Sequence, residues 1–264
     1  MLGAIAGDII GSVHEGRGTK IKDFPLFVLG STFTDDSVLT IAIAEWILTG
    51  KDLVELLHAY ANAHPDRGYG KSFRDWMRDR RREPYNSFGN GSAMRVSPVG
   101  FAFNTLEEVL EWSEKSAAVT HNHPEGIRGA QATATAIFLA RKGISKEEIR
   151  SVLESRFHYN LRRRLKEIHP TYSFDVTCQG TVPEALIAFF ESKHYEDAVR
   201  NAISLGGDAD TLACIAGGIA EAYYGGVPKD ISDRAMGILD SPLADVVVQF
   251  RQRFQLEPKS PQRD

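Results

Sequence analysis

The sequence predicts an all-α fold in one compact domain. Apolar residues recur at helical spacing over several long windows, and no stretch alternates apolar and polar residues between hairpin turns. The chain has 264 residues, 42% hydrophobic and 25% charged, which suits one large globular domain or two small ones.

Each element follows in chain order. The opening MLGAIAGDIIGS reads as a first helix, with Gly3, Gly7 and Gly11 four apart on one face where a second helix can approach closely. Asp8 argues against a membrane version of that motif. Residues 38–48 (VLTIAIAEWIL) are almost wholly apolar and long enough for a buried helix. Residues 74–94 read as a loop region, with Arg78, Arg80, Arg81 and Arg82 followed by a glycine-rich stretch. Residues 106–118 mix charge and apolarity at a period near 3.6, and 129–141 (GAQATATAIFLAR) suit a closely packed central helix. Helices are also expected over 144–155, 183–191 and 212–224, with Pro183 in the first turn of its helix. The domain is expected to span 1–256, leaving EPKSPQRD (257–264) as a frayed, flexible tail.

Composition excludes several classes. A net charge of −4 points away from a nucleic-acid binder or a polybasic membrane protein. Cys178 and Cys214 form neither a disulfide framework nor a CxxC pair. The N-terminus lacks a basic region and Asp8 interrupts it, so it does not read as a signal peptide. With no apolar run of the ~18 residues a membrane span needs, a cytoplasmic protein is expected.

Two acidic clusters carry the chemistry: Thr34-Asp35-Asp36-Ser37 and Gly206-Gly207-Asp208-Ala209-Asp210-Thr211. Each precedes an apolar helical run, and helix capping explains either one alone. Capping does not explain why both place two acids beside a threonine, or why a glycine pair bends the chain into the second. If the two helix starts face one another, four carboxylates converge and raise each other's pKa unless cations neutralise them. Oxygen-only donors select hard cations such as Mg²⁺ or Mn²⁺, so the clusters read as halves of a dinuclear metal site.

The remaining motifs are weaker. The loop Ser87-Phe88-Gly89-Asn90-Gly91-Ser92-Ala93-Met94-Arg95 could cradle a phosphate with its backbone N–H groups, or be a plain Asn-Gly turn; it is not a Walker A loop. His121 and His123 lack a third nitrogen or sulfur ligand, so a helix-start hydrogen bond or an anion contact fits better than zinc. The arginine runs 80–82 and 162–164 read as solvated faces. By spacing alone, Glu15 is an ordinary solvated glutamate at the end of the first helix.

In order, GDIIGSVHE (7–15), FTDDS (33–37), FGNGSAMRV (88–96), THNHPEG (120–126) and GGDADTLACIAGGIAEAYYG (206–225) resemble the ADP-ribosylglycohydrolase family. The resemblance spans most of the chain. It implies a compact all-α orthogonal bundle with a dinuclear cleft holding two divalent cations, usually Mg²⁺ and in some members Mn²⁺. The matching ligands are Thr34, Asp35, Asp36, Asp208, Asp210 and Thr211. Glu15 falls on the family's acid/base or water-positioning residue, with Asp35 the other candidate base. Ser87, Gly89, Asn90, Gly91 and Ser92 match the loop that holds the diphosphate and distal ribose, with Met94 among the substrate-binding positions. His121 matches the histidine that contacts the diphosphate, and Phe88 the ring near adenosine. Ala209 departs from the family's Asp-Thr-Asp-Thr pattern at a position that is not a ligand.

The implied activity is hydrolysis of the bond between the proximal ribose C1 and an acceptor. The loop sequence sits closer to the branch acting on O-linked acceptors than to the arginine branch. Implied partners are an ADP-ribosylated protein, nucleic acid or small molecule as substrate, with no stable nucleic-acid partner, no membrane and a monomeric state. Two rivals stand beside it: a non-catalytic ADP-ribose-binding or structural member of the fold, and a metal-dependent phosphohydrolase that would release AMP.

Overall fold

The computed structural model describes residues 1–256; the tail expected over 257–264 lies outside the described residues. The first helix, α1 (Leu2–Gly11), is buried along its whole length. Its glycine face lies against α13 (Ala209–Tyr224), where a Cβ on Gly7 would sit 2.1 Å from the Ala213 carbonyl oxygen. Only hydrogen fits there, so the expected close approach is made, and the partner is the helix that carries the second acidic cluster.

Around this pair the remaining elements are α2 (Asp35–Thr49), α3 (Leu53–Ala63), α4 (Lys71–Arg78), α5 (Gly91–Met94), α6 (Ser97–Ala102), α7 (Leu106–Ala118), α8 (Pro124–Arg141), α9 (Lys146–Phe157), α10 (Leu165–Ile168), α11 (Cys178–Phe190), α12 (Tyr195–Ser204), α14 (Lys229–Ile238) and α15 (Ser241–Arg253). Among the described residues there is no strand, only an isolated antiparallel bridge between Gly89 and Thr177. The fold is a single all-α domain. One apolar cluster gathers side chains of α1, α11, α12 and α13, a second those of α2, α3, α4 and α8. Helix α13 reaches both, through Leu212 and Cys214. Both cysteines are buried and unbridged. Among the described residues no helix is long and apolar enough to cross a membrane.

Two expectations need correction, at Pro183 and over 74–94, while the Ala/Thr-rich helix opens at the His121–Glu125 segment as expected. Pro183 lies inside α11, not in its first turn. The helix starts earlier because Thr177 Oγ1 accepts from the Gly180 N–H (3.1 Å), and the bridge to the glycine loop fixes the preceding backbone. The first turn, CQGT, has no apolar periodicity to reveal it. Helix α8 begins at Pro124, five residues before the apolar window. There His123 Nδ1 accepts from the Glu125 N–H at 3.1 Å, the helix-start role expected for this segment. The region 74–94 is not all loop: α4 enters it, burying Phe73 and Trp76 and turning its charges outward, and α5 closes it.

Candidate active site

The site forms where the first turns of α2 and α13 meet the C-terminal half of α1. Asp8, on α1, is fully buried. Its Oδ1 accepts from Thr34 Oγ1 at 2.6 Å. Its Oδ2 accepts from the backbone N–H groups of Thr34 (3.0 Å) and Ser37 (3.1 Å) and from the Ser37 hydroxyl. This clamp locks the start of α2 onto α1. At Gly11 a Cβ would lie 2.5 Å from Asp210 Cα, so the same glycine face brings in the start of α13.

The carboxylates therefore converge in two groups. One oxygen each from Asp8, Asp36 and Asp210 lie within 4.8 Å of one another, as do one each from Glu15, Asp208 and Asp210. Asp210 belongs to both groups, which gives two adjoining positions that could hold a metal ion. Thr34 Oγ1 and Thr211 Oγ1 flank the first group, 3.3 and 3.4 Å from Asp36 Oδ2. Asp36 Oδ1 is buried without a hydrogen-bond partner, an oxygen that a cation would satisfy. Asp35 stands outside both groups: its N–H donates to the Arg67 carbonyl (2.7 Å) and its side chain lines the same cavity beside Gly68.

Electrostatics agree with this geometry. Burial, and then the charges of Asp8 and neighbouring aspartates, hold Asp35 and Asp36 well above the ordinary carboxylate range. Asp210 is raised well above it by burial and then by Asp36 and Asp208. Burial also raises Asp8 and Asp208. Glu15 is raised by partial burial and then by Asp208 and Asp8. Such a cluster of hard oxygens, expensive to ionise without a counter-charge, fits a divalent cation.

Glu15 sits on the turn after α1. Gly16 and Gly18 adopt φ of +66° and +64°, values that bend the chain sharply. Lys20 Nζ then donates to the carbonyls of His169 (2.8 Å), Tyr172 (2.7 Å) and Leu205, tying this loop to the turn that precedes Asp208.

A cavity of about 310 Å³ extends from the acids. Ser87, Gly89, Asn90, Gly91, Met94 and His121 line its far side. The bridge to Thr177 shapes this loop, with the Asn90 N–H donating to the Val176 carbonyl (2.8 Å) and the Cys178 N–H to that of Phe88 (2.9 Å). The Asn90 side chain reaches the other way, its Nδ2 donating to Asp208 Oδ2 at 2.7 Å and to Thr181 Oγ1 at 3.1 Å. It couples the loop to the acidic end. Ser92 lies away from the cavity; it is fully buried and its hydroxyl donates to the Gly126 carbonyl (2.7 Å). Phe88 is exposed and packs edge-on against His123, with ring centroids 5.4 Å apart.

Sequence reading gave no site role to Asp8, Tyr85 or Arg95, which the folded chain brings to the acids or the cavity wall. Asp8 carried a signal, as the one charge in an otherwise apolar and glycine-lined helix. Arg95, the one base in the apolar stretch AMRVSPVGFA, carried the same kind.

Comparison with known proteins places this geometry in a family. The profile described as ADP-ribosylglycohydrolase matches residues 1–257. The ADP-ribosylhydrolase ARH3 of Mus musculus is 28% identical, the match covering 85% of this chain and 82% of that protein. The ADP-ribosylarginine hydrolase Tri1 of Pseudomonas putida is 26% identical, over 87% of this chain and 71% of that one. A solved structure, an ADP-ribosylglycohydrolase-related protein complex, shares the fold with a TM-score of 0.66 at 22% identity, covering 95% of this chain and 96% of its own. The chain belongs to the ADP-ribosylglycohydrolase family, and with it to the ADP-ribosylhydrolase enzymes.

Proposed function

We propose that this chain is a metal-dependent hydrolase that releases ADP-ribose by cleaving the bond between the proximal ribose C1 and its acceptor. One observation carries the reading: Glu15 shares a carboxylate group with Asp208 and Asp210 at one end of a cavity whose other end is the glycine loop and His121. A reacting ribose at the acids and a diphosphate at the loop account for both ends at once.

Asp36, Asp208 and Asp210 are the residues to hold the cations, with Thr34, Asp35 and Thr211 beside them. Bound divalent cations would orient the ribose hydroxyls and lower the pKa of the attacking water. Asp8 keeps α2 in place through Thr34 and Ser37, which fixes Asp36 relative to Asp210. Asn90 does the same for Asp208. Glu15 is the group to take a proton from the incoming water at its carboxylate, since it stands beside Asp208 and Asp210 on the cavity wall. As the acceptor departs, taking up a proton from solvent or the one that Glu15 gives back, C1 acquires oxocarbenium character, which the surrounding carboxylates favour electrostatically.

The loop sequence supports an O-linked acceptor over arginine, and Mg²⁺ or Mn²⁺ suits the all-oxygen donor set. A cytoplasmic monomer completes the proposal.

Mass spectrometry of products tests it. Protein with Mg²⁺ or Mn²⁺ would be incubated with arginine- and serine-ADP-ribosylated peptides, O-acetyl-ADP-ribose and an ADP-ribosylated nucleic acid. Metal-dependent release of intact ADP-ribose is expected, fastest from an O-linked member. Release of AMP would favour the phosphohydrolase instead, and binding of ADP-ribose without release from any substrate would favour the non-catalytic reading.

A further inference from the structure

Behind the glycine loop lies a buried cation that the proposed chemistry has not used. Arg95 is fully buried, yet it forms part of the cavity wall. Its Nη2 donates to the Ser116 carbonyl (2.7 Å) and to Thr120 Oγ1 (2.9 Å). Nε and Nη1 are buried without hydrogen-bond partners. The ionisable groups whose charge would oppose it are Tyr85 and Cys178. Burial pushes each up to about 12, so both are neutral at physiological pH. A guanidinium left this way is strongly unfavourable unless an anion completes it.

Thr120 passes the effect on. Its Oγ1 lies 2.8 Å from His121 Nδ1. Burial, and then the charge of Arg95, holds His121 well below its ordinary pKa, so the ring is neutral and carries one N–H. Nε2 faces the glycine loop, near enough that a Cβ on Gly91 would sit 3.1 Å from it. Thr120 Oγ1 accepts from Arg95 and also hydrogen-bonds the Tyr85 hydroxyl, so its one proton goes either to His121 Nδ1, which places the ring proton on Nε2, or to Tyr85.

We infer that Arg95 and Thr120 are positioning residues for the anion-binding half of the site. Arg95 donates to Thr120, Thr120 donates to His121 Nδ1, and the Nε2–H of His121 is thereby aimed at a phosphate held over Gly89 and Gly91. This rests on the proposed function, in which the cavity takes a diphosphate, and it assigns specificity for that group to a relay that starts outside the glycine loop. The guanidinium adds positive potential at the same point.

The tautomer of His121 tests the relay without any turnover. Long-range ¹⁵N–¹H correlation spectra would be recorded on ligand-free wild type, Thr120→Val and Thr120→Ser. Titration calorimetry with metal present would follow ADP-ribose and adenosine. Wild type should show the Nε2–H form. Thr120→Val should lose that fixed form and bind ADP-ribose about tenfold more weakly, the scale of one charge-supported hydrogen bond. Thr120→Ser should keep both properties, and adenosine, lacking phosphates, should bind all three alike. An Nδ1–H wild-type ring, with Thr120 donating to Tyr85 instead, overturns the inference, and this reading is independent of how Thr120→Val folds. An unchanged tautomer or an unchanged ADP-ribose affinity in a folded Thr120→Val also overturns it. If wild type binds no ADP-ribose at all, the proposed function fails, and the tautomers alone decide the relay.

Discussion

At one end of the cavity, Asp8, Asp36, Asp208 and Asp210 crowd their carboxylates behind a wall of helix starts; at the other, Arg95 is buried opposite neutral Tyr85 and Cys178. A third region shows how the same chain treats charge that serves packing. Arg163 meets Glu184 fork to fork at 2.8 and 2.9 Å. The structural ion pair is closed within the protein. Both ends of the cavity are left open in charge, negative at one and positive at the other. That difference is what a ligand with cation-bound hydroxyls at one end and a diphosphate at the other would complete.

The comparison breaks most sharply at Glu15. Glu15→Gln should lower turnover by about 10²–10⁴ while ADP-ribose affinity, set mainly by the other end, stays near wild type. Near-wild-type turnover would remove Glu15 from the reaction. Asp210→Asn comes next. Because Asp210 serves both carboxylate groups, metal binding and activity should fall together by about 10²-fold, with partial rescue by excess cation. The assay is activity after chelation and limiting return of metal; full activity there would end the claim that this cluster holds the cofactor.

Asn90 joins the two regions and so sharpens the contrast. Losing its hydrogen bond to Asp208, Asn90→Ala should weaken metal binding by about tenfold, although the residue belongs to the loop by sequence. A change confined to ADP-ribose affinity would assign Asn90 to the anion end alone. The smallest effect is on stability. Asp8, Asp35, Asp36, Asp208 and Asp210 all have raised pKa values, so above the ordinary aspartate value of about 3.9 these five carboxylates bind more protons in the metal-free folded chain than in the unfolded one. Their contribution to stability is present at low pH and falls as pH rises through the raised values, and it outnumbers the opposite contribution of His121, whose pKa is lowered. Chelated protein should melt a few degrees higher near pH 5 than near pH 7.5, and added Mg²⁺ should close the gap. A chelated melting temperature that rises across this window would contradict the cluster's electrostatics.

Much of this was legible along the chain. The period of the apolar residues marked α2, α7, α9 and α13, and the acids ahead of two of those runs marked helix starts. The glycines at 3, 7 and 11 announced a close helix neighbour. These are local properties, since an α-helix turns once in about 3.6 residues and shows that period in its sequence.

What the sequence could not assign was which helix fills the glycine face and what that contact brings along. The choice of α13 places Asp210 beside Asp8, and the clamp on Thr34 and Ser37 then draws in Asp36. Tertiary packing likewise turned Asn90 toward Asp208 and Ser92 toward α8. It also tied the start of α11 to the glycine loop, which carried Pro183 into the helix interior. Each of these depends on atoms far apart in the chain, and their approach is set by how whole helices pack, a quantity that no local spacing records.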